Sequence, residues 1–173
     1  AGLTCHVYGG FQQGYRRKPQ PENQGHFGPK IKFHPFLDKH AELPALYRSG
    51  TVHLCCTQFP RACHERVFQA TASGAFMLHE WKDDVPALYE PDTEIVLYRH
   101  VDEVPDLARY YLTHEAARRR IAQQGYRRFM ATHAPAHRAR AFLQTLGQEL
   151  ERYRAHTTTT VESGVYQETG GVS

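Results

Sequence analysis

The sequence predicts an α/β fold, a doubly wound parallel sheet with helices on both faces followed by a helical C-terminal segment. Two patterns carry that prediction. Up to residue 98, short apolar runs of strand length alternate with segments of helical spacing; beyond it the spacing is helical throughout. The length of 173 residues suits one core rather than two. A chain of this size buries roughly 70% of its unfolded surface, so disulfide staples are not required.

Residues 3–8 form an apolar run ending at Gly9 and Gly10, a buried strand leading into a glycine-assisted turn. Residues 12–28, rich in Gln, Gly, Pro and basic side chains, show no period and read as a loop, and 31–33 make a second strand closed by His34 and Pro35. Leu43, Leu46 and Tyr47 fall at helical spacing over 41–48, with Gly50 beyond them where a C-terminal cap belongs. Residues 51–56 mix β-branched and apolar side chains in a run too short for a helix. A polar loop, 57–64, feeds a helix around Val67, Phe68 and Ala70 that Gly74 stops. Residues 75–78 then read as a strand, 85–89 as a short helix and 94–98 as a strand. Parallel strands joined in this way need right-handed crossovers, which lay helices on both faces.

Asp102 is the expected cap of the next helix, with Pro105 in its first turn and Val104, Leu107, Ala108 and Tyr111 facing inward. Thr113 is the expected cap of the one after. There Ala117, Ile121, Gly125 and Phe129 recur every four residues, and Gly125 allows a close helix approach. Pro135 ends or kinks that helix. Ala139, Phe142, Leu146, Leu150 and Tyr153 then recur at steps of three and four, a strong amphipathic signal. The expected domain is residues 1–154, with the pattern-free residues 155–173 a flexible tail.

Charge excludes less than it first suggests. The 21 Lys and Arg nearly balance the 18 Asp and Glu, leaving +3, so no general attraction to nucleic acid follows. Arg118, Arg119, Arg120, Arg127 and Arg128 lack the interleaved aromatics of a single-strand platform, so nucleic acid is not an expected partner. No apolar run approaches the ~18 residues of a membrane span, and no signal peptide opens the chain, which points to a cytoplasmic protein. Ala1 in place of Met, directly before a strand-like run, suggests a piece of a longer chain. Cys5, Cys55, Cys56 and Cys63 form no C-x-x-C pair and read as reduced thiols. His133 and His137 lie four apart, but Pro135 between them spoils a helical ligand face, so no metal is expected.

In an open parallel sheet, ligands bind beyond the C-terminal strand ends. That rule selects the turn at Gly9 and Gly10, the loop 33–36 and the loop 57–66. The last is the most suggestive. A helix beginning near Glu65 offers free N–H groups and a positive dipole end, which suit a diphosphate, and Arg66 adds a charge able to bond in pairs. Glu65 and Gln69 share a helical face and can accept hydrogen bonds from sugar hydroxyls, although Glu65 equally suits a capping role. Asp83 and Asp84 read as a solvated pair. The G-x-G-x-x-G pattern, the P-loop and the G-x-S-x-G elbow are all missing.

The run from Arg66 to Gly74, followed by Ala75, Phe76, Met77 and Leu78, resembles the R-x-F-E-A-x-A-x-G-x-x-L-L segment of CgeB-type, spore-maturation-protein-like glycosyltransferases. Residues 88–98 are similar to their L-F-x-P-G-x-E-I-V-x-Y stretch. Asp102, Glu103, Tyr110, Tyr111, Leu112, Arg118, Ile121, Ala122 and Gly125 continue the pattern, and His133 with Arg138 resembles the terminal H-T-x-x-x-R. The likeness covers about residues 3–150, and its specificity lies in collinearity. It implies the C-terminal, Rossmann-like lobe of a GT-B glycosyltransferase, which takes a nucleotide diphosphate sugar as donor, usually needs no bound metal or cofactor, and works against an N-terminal lobe across a cleft. By the same resemblance, Gly9 and Gly10 match the turn that lets a phosphate approach the backbone. Phe33, His34 and Pro35 match the loop bordering the base, Arg66 meets the diphosphate, and Gly74 is the glycine of the motif. Two positions depart from the family. Gln69 stands where a Glu is expected to hold the ribose hydroxyls, and Arg61 stands where the retaining enzymes' E-x7-E pattern has its first carboxylate. These departures keep a second expectation open, a noncatalytic interaction module derived from a transferase. Catalytic residues are not assignable from the sequence, and the lobe alone is expected to be inactive.

Overall fold

The computed structural model describes residues 2–8, 30–35, 37–38, 40–57, 61 and 63–164, with the side chains of 157–164 excepted. The chain divides into two compact units, residues 1–130 and 131–173.

The first unit is α/β with parallel strands. Strands β1 (Cys5–Tyr8) and β2 (Ile31–His34) pair parallel, Cys5 opposite Ile31 and Tyr8 opposite His34. A second sheet has the order β3–β4–β5, formed by His53–Cys55, Met77–Glu80 and Val96–Tyr98, all parallel. Among the described residues no ladder joins the two sheets. Helix α1 (Leu43–Ser49) precedes β3, and α2 (Glu65–Ala72) crosses from β3 to β4.

The link from β4 to β5 corrects the short helix expected at 85–89, because that stretch is a run of turns. Pro86 and Pro91 break any helical ladder there. Val85 and Tyr89 are nonetheless fully buried and do the covering that a crossover helix does elsewhere.

Each face of the three-stranded sheet has its own core. Tyr47, Cys55, Val67, Ala70, Met77, Val85, Tyr89 and Ile95 pack on the α2 side. On the other side Phe76, Leu78, Val96 and Tyr98 pack against Tyr111 of α3 (Val104–Thr113) and Ile121 of α4 (Glu115–Arg128). Alternation along β4 assigns Met77 and His79 to the first face and Leu78 and Glu80 to the second.

The caps differ from expectation. His100, not Asp102, opens the 3-10 turn before α3, with Glu103 closing a reciprocal capping box: the His100 N–H donates to Glu103 Oε1 at 2.9 Å. The Thr113 hydroxyl turns back to the carbonyls of Arg109 and Tyr110, at 3.1 and 2.9 Å, instead of capping α4. A competing bond within its own helix was available, and Thr takes it readily.

In the second unit, Pro135 begins a new helix, α5 (Pro135–Gly164), directly after a π-helical turn at Phe129–His133. Helix therefore continues through 155–164, where the sequence suggested a tail. Extending a helix already nucleated costs little per residue. Residues 165–173 of the expected tail lie outside the described residues.

Candidate functional site

The C-terminal ends of β3, β4 and β5 and the N-terminus of α2 form one polar region. Helix α2 starts at His64, whose extended backbone makes it the N-cap and whose Nδ1 accepts the Arg66 N–H at 3.1 Å. The Val67 N–H donates to the His64 carbonyl at 3.0 Å, so the cap residue satisfies two donors of the first turn. Glu65 and Arg66 are exposed and Gln69 is half-buried on the same helix. The Arg66 guanidinium lies beside the Cys55 thiol. Burial pushes that thiol up to about 11, and Arg66 acts in the opposite sense.

Strand β4 supplies groups that the motif reading missed. Glu80 accepts the Thr57 N–H at 3.3 Å and Lys82 Nζ at 2.9 Å, tying the ends of β3 and β4 together. The bond from Lys82, and then that from Thr57, hold its carboxyl below the usual carboxylate range. Lys82 keeps only 11% of its side chain exposed, so its charge is partly desolvated against Glu80. Next to it, Arg99 lies over the Trp81 ring at 3.7 Å from the centroid, a cation–π contact at the end of β5. His79 is fully buried. Its Nδ1 bonds the Glu80 carbonyl, which fixes the proton on Nδ1 and leaves Nε2 an acceptor with no hydrogen-bond partner among the described residues. Burial lowers its basicity. The signal available for these residues was positional, since 79–82 follow the C-terminal end of a strand.

The expected site residues separate into groups. Glu65, Arg66 and Gln69 come together on α2. Gly74 sits beyond the opposite end of that helix, about 12 Å away by helical rise, where its φ of 72° makes the turn into β4. Phe33 and His34 belong to the two-stranded sheet. There His34 stacks on Tyr8 at 4.4 Å and on His6 at 5.0 Å, with His6 Nδ1 and His34 Nε2 2.8 Å apart. Gly9 and Gly10 lie outside the described residues, and Arg61 is exposed. Asp83 and Asp84 are exposed, as a solvated pair should be. An open depression of about 620 Å³ lies among Gly74, Arg119, Arg120, Gln123 and Tyr126, at the far end of α2 from these groups. Among the described residues no three His, Cys, Asp or Glu side chains converge in a way that could hold a metal ion. None of the described helices is long and apolar enough to cross a membrane.

Known structures share the fold. The C-terminal domain of a glycosyl transferase group 1 family protein, LpcC from Francisella tularensis, superposes with a TM-score of 0.53 at 19% identity, covering 64% of this chain and 57% of that one. Anabaena Alr3699/HepE, solved in complex with UDP-glucose, superposes with a TM-score of 0.50 at 15% identity, covering 57% of this chain. The present chain thus spans 27% of HepE, about a quarter of its length. These likenesses establish the Rossmann-like fold of the GT-B C-terminal domain. No curated protein matches the chain. Residues 1–144, most of the sequence and all of the parallel strands, match the glycosyl transferase-like family model, and the chain belongs to that family.

Proposed function

We propose that this chain is the donor-binding lobe of a CgeB-type glycosyltransferase, taking a nucleotide diphosphate sugar and transferring its glycosyl group once an N-terminal lobe faces it. The observation that carries this reading is the opening of α2 at the C-terminal edge of the parallel sheet, with Arg66 in its first turn. The positive end of the helix dipole meets the diphosphate, and the exposed Arg66 adds charge to it. Gln69, one turn further on, donates and accepts at the ribose hydroxyls. In the reaction the bond from the anomeric carbon to the diphosphate oxygen breaks as a bond to an acceptor hydroxyl oxygen forms. The hydroxyl proton passes to a base, and the negative charge arriving on the diphosphate is met by the helix terminus and Arg66. The base and the acceptor contacts come from the second lobe, so the lobe alone binds without turnover. HepE, a protein of the same fold, binds UDP and UDP-glucose.

Titration calorimetry with uridine, thymidine and guanosine diphosphates tests the reading. One of them is expected to bind. Arg66→Ala should weaken it about tenfold or more, the size of a lost charge-assisted bond, and Gln69→Glu should tighten it by restoring a carboxylate for the ribose. Failure of all three nucleotides to bind favours the other reading, a noncatalytic module. The motivation for that reading is Gln69 and Arg61 at positions where the family resemblance places carboxylates.

A further inference from the structure

Strand β4 carries a histidine whose hydrogen bonding is half complete. His79 is fully buried, and its Nδ1 gives its proton to the Glu80 carbonyl, which makes Nε2 an acceptor. No donor reaches that nitrogen among the described residues. A buried acceptor without a donor carries its desolvation cost uncompensated, so the atom calls for a reason. Two observations place it at the candidate site. Strand β4 turns Met77 and His79 to the α2 side, and the pairing register sets His79 between Cys55 of β3 and Leu97 of β5. Besides burial and the bond to the Glu80 carbonyl, the groups acting on its charge are the Glu80 carboxylate, His64 and Lys82. His64 is the N-cap of α2, so the acceptor stands beside the opening of that helix.

The chemistry of Nε2 narrows what it can meet. Diphosphate oxygens are acceptors at neutral pH and cannot bond to another acceptor, whereas a hydroxyl can donate to it. Order along α2 narrows it further. Gln69 lies three residues beyond Arg66, about 4.5 Å of helix, and His64 comes two residues before Arg66. A nucleotide sugar runs from ribose through diphosphate to glycosyl unit. With its ribose at Gln69 and its diphosphate at Arg66, the glycosyl unit comes to the His64 end, where His79 stands.

We propose that Nε2 of His79 accepts a hydrogen bond from one hydroxyl of the donor's glycosyl unit and so selects among sugars. This rests on the donor-binding reading given above. Nε2 is shut off from solvent, so the hydroxyl reaches it as the side chains covering it part. A sugar lacking that hydroxyl leaves the acceptor unpaired in the complex and is rejected.

Titration calorimetry of the whole chain is the test, with uridine, thymidine and guanosine diphosphates, each bare and carrying glucose, galactose or mannose. One sugar nucleotide is expected to bind about tenfold more tightly than its bare nucleotide. In His79→Phe, which keeps a ring but no acceptor, that margin should vanish while the bare nucleotide binds within twofold of the parent. His79→Gln keeps an acceptor and should restore part of the margin, and circular dichroism confirms that each variant folds. Nitrogen magnetic resonance on the parent needs no variant: the His79 Nε2 signal should move when the sugar nucleotide is added and not when the bare one is. Binding of no nucleotide overturns the donor reading and this proposal together. A bare nucleotide that binds without any sugar margin, a margin that survives in His79→Phe, or an Nε2 signal indifferent to the sugar overturns this proposal and leaves the donor reading standing. Equal weakening of bare and sugar nucleotides in His79→Phe overturns it too, since a merely structural role does that.

Discussion

Helix α2 is only eight residues long, yet its two ends are built on opposite plans. At the C-terminal end polar groups are bonded inward. The Thr71 hydroxyl donates to the Val67 carbonyl at 2.8 Å and lies 2.8 Å from the Tyr89 hydroxyl, and Arg128 bonds Glu94 at 2.8 and 3.0 Å. Gly125 of α4 comes so close that a Cβ there would stand 2.5 Å from the Glu94 carbonyl oxygen and 3.4 Å from Thr71 Cγ2. At the N-terminal end Glu65 and Arg66 face solvent, and the nearest buried imidazole keeps an unbonded nitrogen. One end anchors the helix between two elements, and the other presents exposed polar side chains. If the division is real, changes at the first end should move stability and leave nucleotide binding alone, and changes at the second should do the reverse.

The largest effect expected is at Gly125. Gly125→Ala places a methyl group against a backbone carbonyl that cannot rotate away, so α4 must shift from α2 and the 90–94 turn. The cost expected is about 1–3 kcal/mol, the range for overpacking a close contact. Denaturant unfolding measures it. A loss below ~0.5 kcal/mol, typical of a surface change, would show that the helices are not locked together there. Thr71→Val comes next. It keeps the shape of the side chain but leaves the Tyr89 hydroxyl, buried and with its acidity suppressed to about 12, without its hydroxyl neighbour. About 1–2 kcal/mol should be lost. The Kd for the bound nucleoside diphosphate should stay within twofold of the parent in both variants, whereas Arg66→Ala should change it with little effect on unfolding.

The same contrast governs what could be read from the residues. Periodicity located the parallel strands and most helices because burial imposes it, and Gly125 was recognisable as a close-approach residue because it interrupts an apolar every-fourth pattern. The stretch 85–89 reads as a helix in the sequence and is not one: Val85 and Tyr89 are buried on the α2 side, and burial is equally served by a proline-broken coil. Which strand pairs with which was not accessible, since alternation specifies parallel connections but not which edge a strand joins. At the site, Arg66 and Gln69 emerged from helix position and family likeness. Glu80 and Lys82 did not, because their roles depend on the Thr57 amide meeting a carboxylate from another strand, a contact with no local signature.

The smallest effect concerns pH, and it connects the two ends through histidines. His79, near the open end, and His53, whose Nε2 lies 2.9 Å from the Tyr47 carbonyl, are both less basic than the ordinary value of 6.5, in each case chiefly through burial. The unfolded chain takes up these protons at about 6.5 and the folded chain only at lower pH. Between those values the unfolded state binds more protons, so stability is full above the unfolded value and declines as pH falls toward the folded one. Thermal unfolding followed from about pH 7 to about pH 5 should therefore show a falling Tm, shallower in His79→Gln, which cannot titrate. Bound nucleotide adds a second arm to the measurement. If a ligand at the mouth of α2 reaches the Nε2 acceptor of His79, the pH dependence of nucleotide affinity changes in the same variant. If it does not, the variant alters the stability profile alone, and His79 belongs with the packed end of the helix rather than the open one.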